Sequence, residues 1–240
     1  MLQVDVFDTP EVLAASAGEL FIELAHRTIK DGKNFNALLS GGNTPRAVYQ
    51  WLAEHGDLLD WRRVRLFFGD ERCVPPEHSD SNYRMVRESM LDALDGLGET
   101  TYRIAGELPP EEAARRYEAI LRSLFEGTPQ FDLVLLGLGA DAHTASLFPG
   151  TRAIHEEEAW VVANLIESLD AWRITVTPPL LNNARMIAFL VSGEGKAEAV
   201  KRVLKGERLI NLYPAQIVQT TWGDVRWMLD RGAARLLSDT

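Results

Sequence analysis

Four short apolar runs in this chain each end in a polar turn that carries glycine, and this pattern restricts the possible folds more than any other feature. Phe35–Leu39 runs into Ser40-Gly41-Gly42-Asn43-Thr44-Pro45, and Val64–Phe68 into Gly69-Asp70-Glu71-Arg72. Leu133–Leu136 runs into Gly137-Leu138-Gly139-Ala140-Asp141-Ala142-His143, and residues 187–191 into Ser192-Gly193-Glu194-Gly195-Lys196. Short runs of this kind are strands buried on both faces, as in a parallel sheet whose faces are covered by helices. In such a sheet the four turns lie along one edge, and ligands bind outside the carboxyl ends of the strands. The expectation is an α/β protein with a mostly parallel sheet flanked by helices. With 240 residues, 46% of them hydrophobic, the chain is long enough for one domain spanning 1–240.

The intervening segments supply the helices. Thr9-Pro10 reads as an N-cap and a first-turn proline, opening a helix over residues 10–31 that buries Val12, Leu13, Leu20, Leu24 and Ile29. Further helices carry Val48, Tyr49 and Leu52; Val86, Met90 and Leu94 behind a cap at Asp80 or Ser81; residues 111–125; and Ala199, Val200, Val203 and Leu204. Residues 4–7, 160–163 and 172–177 read as strands, and Pro178-Pro179 opens a short helix. Residues 216–218 read as a last short strand before an amphipathic C-terminal helix.

The chemistry sits in the turns. Strand, Gly41-Gly42, Thr44, Pro45 and helix is the layout of an anion site, where free N–H groups and the helix dipole favour negative charge; it is equally the layout of an ordinary turn capped by Thr44. Asp70, Glu71 and Arg72 at a strand end read as an exposed charged loop or as site residues, not as core. Asp141 and His143 follow glycines, and an imidazole beside an orienting carboxylate is the arrangement of a general base. Two other patterns in that stretch fail. Gly137, Gly139 and Ala142 fit a dinucleotide fingerprint, but Pro149 cuts the following helix short and no ribose-binding acid follows. Ser146 belongs to no G-x-S-x-G elbow. The turn at Lys196 lacks the P-loop pattern, since Ala197 follows the lysine. Taken together the turns offer N–H groups and Lys196, with Arg72 and Arg173, at one end of a cleft, and Asp70, Asp141 and His143 at the other. A phosphorylated metabolite fits that division.

Composition narrows the partners. The net charge is −10 and the pI about 5.0, which argues against nucleic acid or an anionic membrane. The lone cysteine, Cys73, builds no internal disulfide, and no H-E-x-x-H spacing or thiolate set holds a metal. The first residues, MLQVDVFD, do not read as a signal peptide, and no run approaches the roughly 18 residues of a membrane helix. A cytoplasmic enzyme is expected, with no metal or cofactor, as a monomer or small homo-oligomer.

SGGNTP, GDER, GLGADAHTASLFPG, RITVT, SGEGKA and PAQIV, in that order, resemble the successive motifs of the 6-phosphogluconolactonase family. The resemblance implies a Rossmann-like three-layer sandwich, no cofactor, and opening of a phosphorylated sugar lactone in the oxidative pentose phosphate pathway. It implies a general base at His143, site roles for Asp70 and Arg72, and phosphate binding at Gly41, Gly42, Thr44 and Lys196; Asn43, in the same turn, is expected to bind substrate. Either Asp70 or Asp141 then orients the water or the imidazole, and Arg72 or Arg173 holds oxyanion or phosphate. Ala142 stands where the family pattern has glycine, and a left-handed backbone there would disfavour alanine. Glucosamine-6-phosphate deaminase shares the scaffold, but its carboxylate after the histidine is absent: here Thr144-Ala145-Ser146-Leu147-Phe148 follow. A non-catalytic sugar-phosphate sensor would be expected to carry a DNA-binding segment, and the acidic chain shows none.

Overall fold

The structure is a computed structural model, and it describes residues 1–237. The strands are β1 (Leu2–Phe7), β2 (Phe35–Leu39), β3 (Val64–Phe68), β4 (Asp70–Arg72), β5 (Thr101–Tyr102), β6 (Leu133–Leu136), β7 (Val161–Ile166), β8 (Ala171–Val176), β9 (Met186–Val191) and β10 (Asp224–Asp230). The helices are α1 (Pro10–Lys30), α2 (Asn43–Glu54), α3 (Asn82–Ser89), α4 (Pro110–Leu124), α5 (Pro178–Leu181), α6 (Ala197–Lys205) and α7 (Arg231–Ala234).

Seven strands form one sheet in the order β1-β10-β9-β6-β2-β3-β5, and every ladder in it is parallel. The four strands that end in glycine-bearing turns are therefore neighbours: β9, β6, β2 and β3. From β2 the chain steps outward to β3 and β5, whereas β6 lies on the other side of β2 and leads to β9 and β10. The order reverses between β2 and β6, and that reversal opens a crevice at the carboxyl ends of the strands.

The core follows from the apolar runs. β6 is buried at all four positions, as is the Phe189–Val191 end of β9. Phe21, Phe35, Phe67, Phe131 and Phe189 are among the largest fully buried side chains. Thr9 Oγ1 accepts from the Val12 N–H and caps α1, and Ser81 Oγ accepts from the Arg84 N–H and caps α3. Of the residues expected inside α1, Val12 is exposed, since it lies in the first turn on the solvent side.

Three expectations need correction. β4, β8 and β7 do not join the parallel sheet: they form a small antiparallel sheet in which Asp70 pairs with Thr175 and Arg72 with Arg173. It is anchored at the end of β3, where the Val176 N–H donates to Gly69 O. The last strand is not residues 216–218. Pro214–Ile217 is a 3₁₀ turn, opened by Pro214, whose fixed φ suits a first helical position. The last strand is instead β10, residues 224–230. Its charged residues obscure a strand that buries Val225, Trp227, Met228 and Leu229 between β1 and β9. Glu71 is neither exposed nor in the crevice. It is 2% exposed and accepts from the N–H groups of Arg72, Asn82 and Tyr83 and from Ser81 Oγ, thereby closing the start of α3. Burial pushes its carboxyl above the usual range, against the pull of those N–H groups.

Candidate active site

The crevice between β2 and β6 is a cavity of about 800 Å³. Every expected site residue lines it: Gly41, Gly42, Asn43, Thr44, Asp70, Arg72, Asp141, His143, Arg173 and Lys196.

At the β2 end, Gly42 occupies the cap position of α2 with φ at +105°, a backbone region open to glycine. Thr44 is not the cap; it lies within the first turn, and no side chain caps the helix. The first N–H groups of α2 are thus left for a ligand, which favours the anion-site reading over the ordinary capped turn. Thr44 Oγ1 lies 2.7 Å from Ser192 Oγ and ties this turn to that of β9. The Gly193 N–H donates to both carboxylate oxygens of Asp230, which holds the loop that carries Lys196.

At the β6 end, His143 Nδ1 lies 2.5 Å from Asp141 Oδ1, and the His143 N–H donates to the same oxygen. An ionised carboxylate only accepts, so Nδ1 carries a hydrogen, and in the neutral form of the imidazole this leaves the Nε2 lone pair free. Burial alone would raise the Asp141 carboxyl, but the hydrogen bond, charge and N–H of His143 outweigh it and hold it below its usual value. The acid that contacts the imidazole is therefore Asp141. Asp70 does other work: its Oδ2 accepts from Ser146 Oγ at 2.7 Å and its Oδ1 from Asn82 Nδ2 at 3.2 Å.

Ala142 does adopt the left-handed backbone, with φ at +64°. Such a conformation costs alanine roughly 1–2 kcal/mol. It is held by the Ala215 N–H on Ala142 O and by the Ala142 N–H on Gly139 O. The site thus keeps its geometry without a glycine before the histidine.

Arg72 and Arg173 stand opposite each other in the β4–β8 ladder. Arg72 donates from Nη1 to Asp80 O, Arg173 donates from Nη1 to Trp172 O, and the buried Nε of Arg72 has no partner among the described residues. Burial, and then the like charge of Arg72, push the Arg173 guanidinium below its usual value. Neither arginine forms an ion pair among the described residues, so in this acidic chain two guanidinium groups face the cavity with capacity for an anion.

Sequence reasoning missed Ser40, Asn82 and Phe148 as lining residues, and set Ser146 aside because it belongs to no G-x-S-x-G elbow. Ser40 is 4% exposed and its Oγ has no partner among the described residues. Its place immediately before Gly41-Gly42 was the available signal. Nothing local marks Asn82 or Ser146, because their partner Asp70 is distant in sequence.

Comparison with known proteins agrees with this architecture. The family described as glucosamine-6-phosphate isomerases/6-phosphogluconolactonase matches residues 8–227. The chain is 38% identical to a Bos taurus 6-phosphogluconolactonase over 98% of its own length and 93% of that protein. It is 36% identical to a 6-phosphogluconolactonase of Synechocystis, over 98% of each. The solved 6-phosphogluconolactonase of Trypanosoma brucei superposes with a TM-score of 0.89 at 30% identity, covering 99% of each chain. The fold, the cavity at the strand reversal and these full-length likenesses agree: the chain belongs to the glucosamine-6-phosphate isomerase/6-phosphogluconolactonase family.

Proposed function

We propose that this protein hydrolyses 6-phospho-D-glucono-1,5-lactone to 6-phosphogluconate, the lactone-opening step of the oxidative pentose phosphate pathway. The observation that carries this reading is the Asp141–His143 pair, placed in the same cavity as the uncapped start of α2 and Lys196. One end suits a phosphate and the other an activated water.

In this mechanism His143 Nε2 takes a proton from a water molecule whose oxygen adds to the lactone carbonyl carbon. Asp141 holds the ring and offsets the positive charge it gains. The oxyanion meets the guanidinium of Arg72 or Arg173. Collapse breaks the bond to the ring oxygen, which recovers the proton from His143. Asp70, fixed by Ser146 and Asn82, aligns the water or a sugar hydroxyl. Gly41, Gly42, Asn43, Thr44 and Lys196 hold the phosphate. No covalent intermediate or cofactor is required, because the lactone is itself an activated ester. A cytoplasmic location belongs to the same reading; among the described residues no helix is long and apolar enough to cross a membrane.

The purified protein is expected to speed hydrolysis of the phosphorylated lactone well above the spontaneous rate and to release no ammonia from glucosamine 6-phosphate. Ammonia release would favour the deaminase. Tight sugar-phosphate binding with neither reaction would favour a sensor.

Lys196→Ala tests the phosphate end. Loss of one hydrogen bond from a charged group is worth about 1.5–3 kcal/mol. KM for the phosphorylated lactone is therefore expected to rise roughly 10- to 100-fold, with little change for the unphosphorylated lactone. Equal effects on the two substrates would remove Lys196 from the phosphate site.

A further inference from the structure

The loop that follows His143 turns back over it. Thr144 and Leu147 form an isolated antiparallel bridge, with Ala145 in the left-handed region at φ +48°. The turn brings the Phe148 ring flat onto the His143 imidazole, with centroids 4.0 Å apart and planes 18° from parallel. Both rings line the cavity.

We infer that Phe148 is a positioning residue that fixes the plane of the His143 ring. The Asp141–Nδ1 hydrogen bond restrains one edge of the imidazole. A single bond of that kind acts as a hinge, about which the ring can tilt and swing Nε2 out of line with a bound water. A flat aromatic neighbour on the ring face removes that freedom. It also keeps water off that face of the ring. An aromatic face further favours the imidazolium that forms when the proton moves.

The loop itself does not depend on the Phe148 ring. Thr144 Oγ1 donates to Gly137 O, the Ser146 N–H donates to Thr175 Oγ1, and Asn164 Nδ2 donates to Ser146 O. The Phe148 carbonyl accepts from both the N–H and the Oγ1 of Thr151. The backbone path is thus tied on both sides of Phe148, which separates the role of its ring from the folding of the loop.

The catalytic part of this inference rests on the lactonase reading, and the test keeps the two apart. Phe148→Leu and Phe148→Met remove the stack with little change in apolar volume, and Phe148→Tyr restores it. Each variant is examined by imidazole ¹⁵N and low-field Nδ1–H NMR of His143, and by lactone kinetics. The stack-less variants are expected to broaden or shift the Nδ1–H resonance and to lower kcat roughly tenfold, the size of one aromatic pair, with KM within about twofold. The tyrosine variant is expected to regain both signal and rate. An unchanged Nδ1–H signal, or a Leu or Met variant with wild-type kcat, would overturn the inference. So would failure of tyrosine to rescue either readout. If wild-type protein opens no lactone while the NMR changes appear as expected, the lactonase reading fails and the positioning role stands.

Discussion

Replacing His143 with alanine is expected to lower kcat by roughly 10²–10⁴, the usual contribution of a general base, while leaving the fold intact. The reason is geometric. The imidazole is held by Asp141 and Phe148 in the lining of the cavity, with its side chain 29% exposed. Removing it opens no sealed void. The change should fall on kcat more than on KM, because the phosphate end of the cavity is built from other strands. The checks are steady-state kinetics with the spontaneous rate subtracted, and thermal melting to confirm folding. Near-wild-type turnover in a well-folded variant would remove His143 from the reaction.

What could be read from the sequence divides along the range of the interactions involved. The buried strands β2, β3, β6 and β9 announced themselves because burial on both faces leaves a local apolar run, and their glycine-bearing ends marked the cavity. The site residues on those turns were legible for the same reason: each follows its strand within a few positions. Asp141 as the partner of His143 was an open choice in the sequence, although the two are only two residues apart, because a left-handed Ala142 is needed to bring them together.

Long-range pairings were not legible. The strands read at 160–163 and 172–177 overlap β7 and β8, yet no local feature says that the two pair with each other outside the parallel sheet, or that β8 also pairs with three residues of the GDER turn. The same turn hid Glu71, whose burial depends on Ser81, Asn82 and Tyr83 supplying donors from ten to twelve positions away. Ser146 meets Asp70 across 76 positions. β10 was not read as a strand, because Arg226 interrupts its apolar residues and Asp224 and Asp230 bound it. Arg226 and Asp5 form an ion pair across to β1, and Asp230 accepts from Gly193 and Ala233, so those charges serve neighbours that only the folded chain provides.

Gly139→Ala is expected to lower kcat by about 10²-fold with little loss of stability, although Gly139 has no side chain to take part in the reaction. A methyl group on Gly139 would collide with His143 Nδ1, His143 Cε1 and Asp141 Oδ1. The pair therefore packs directly onto a backbone position that only glycine leaves open. The collision can be relieved without unfolding, because Asp141 and His143 are partly exposed, at 48% and 29%, and can swing outward. The fold then survives while the base moves, and a displacement of about 1 Å is worth roughly 10²-fold in rate. Gly137 at the other side of the same turn supplies the control, since a methyl there meets nothing nearer than Gly41 O at 3.9 Å. Gly137→Ala should keep most of its activity, and both variants should melt near the wild-type temperature. An active Gly139→Ala enzyme would mean that the close approach of the pair to this backbone does not matter for turnover. Equal losses in the two variants would point to the flexibility of the turn instead of the placement of His143.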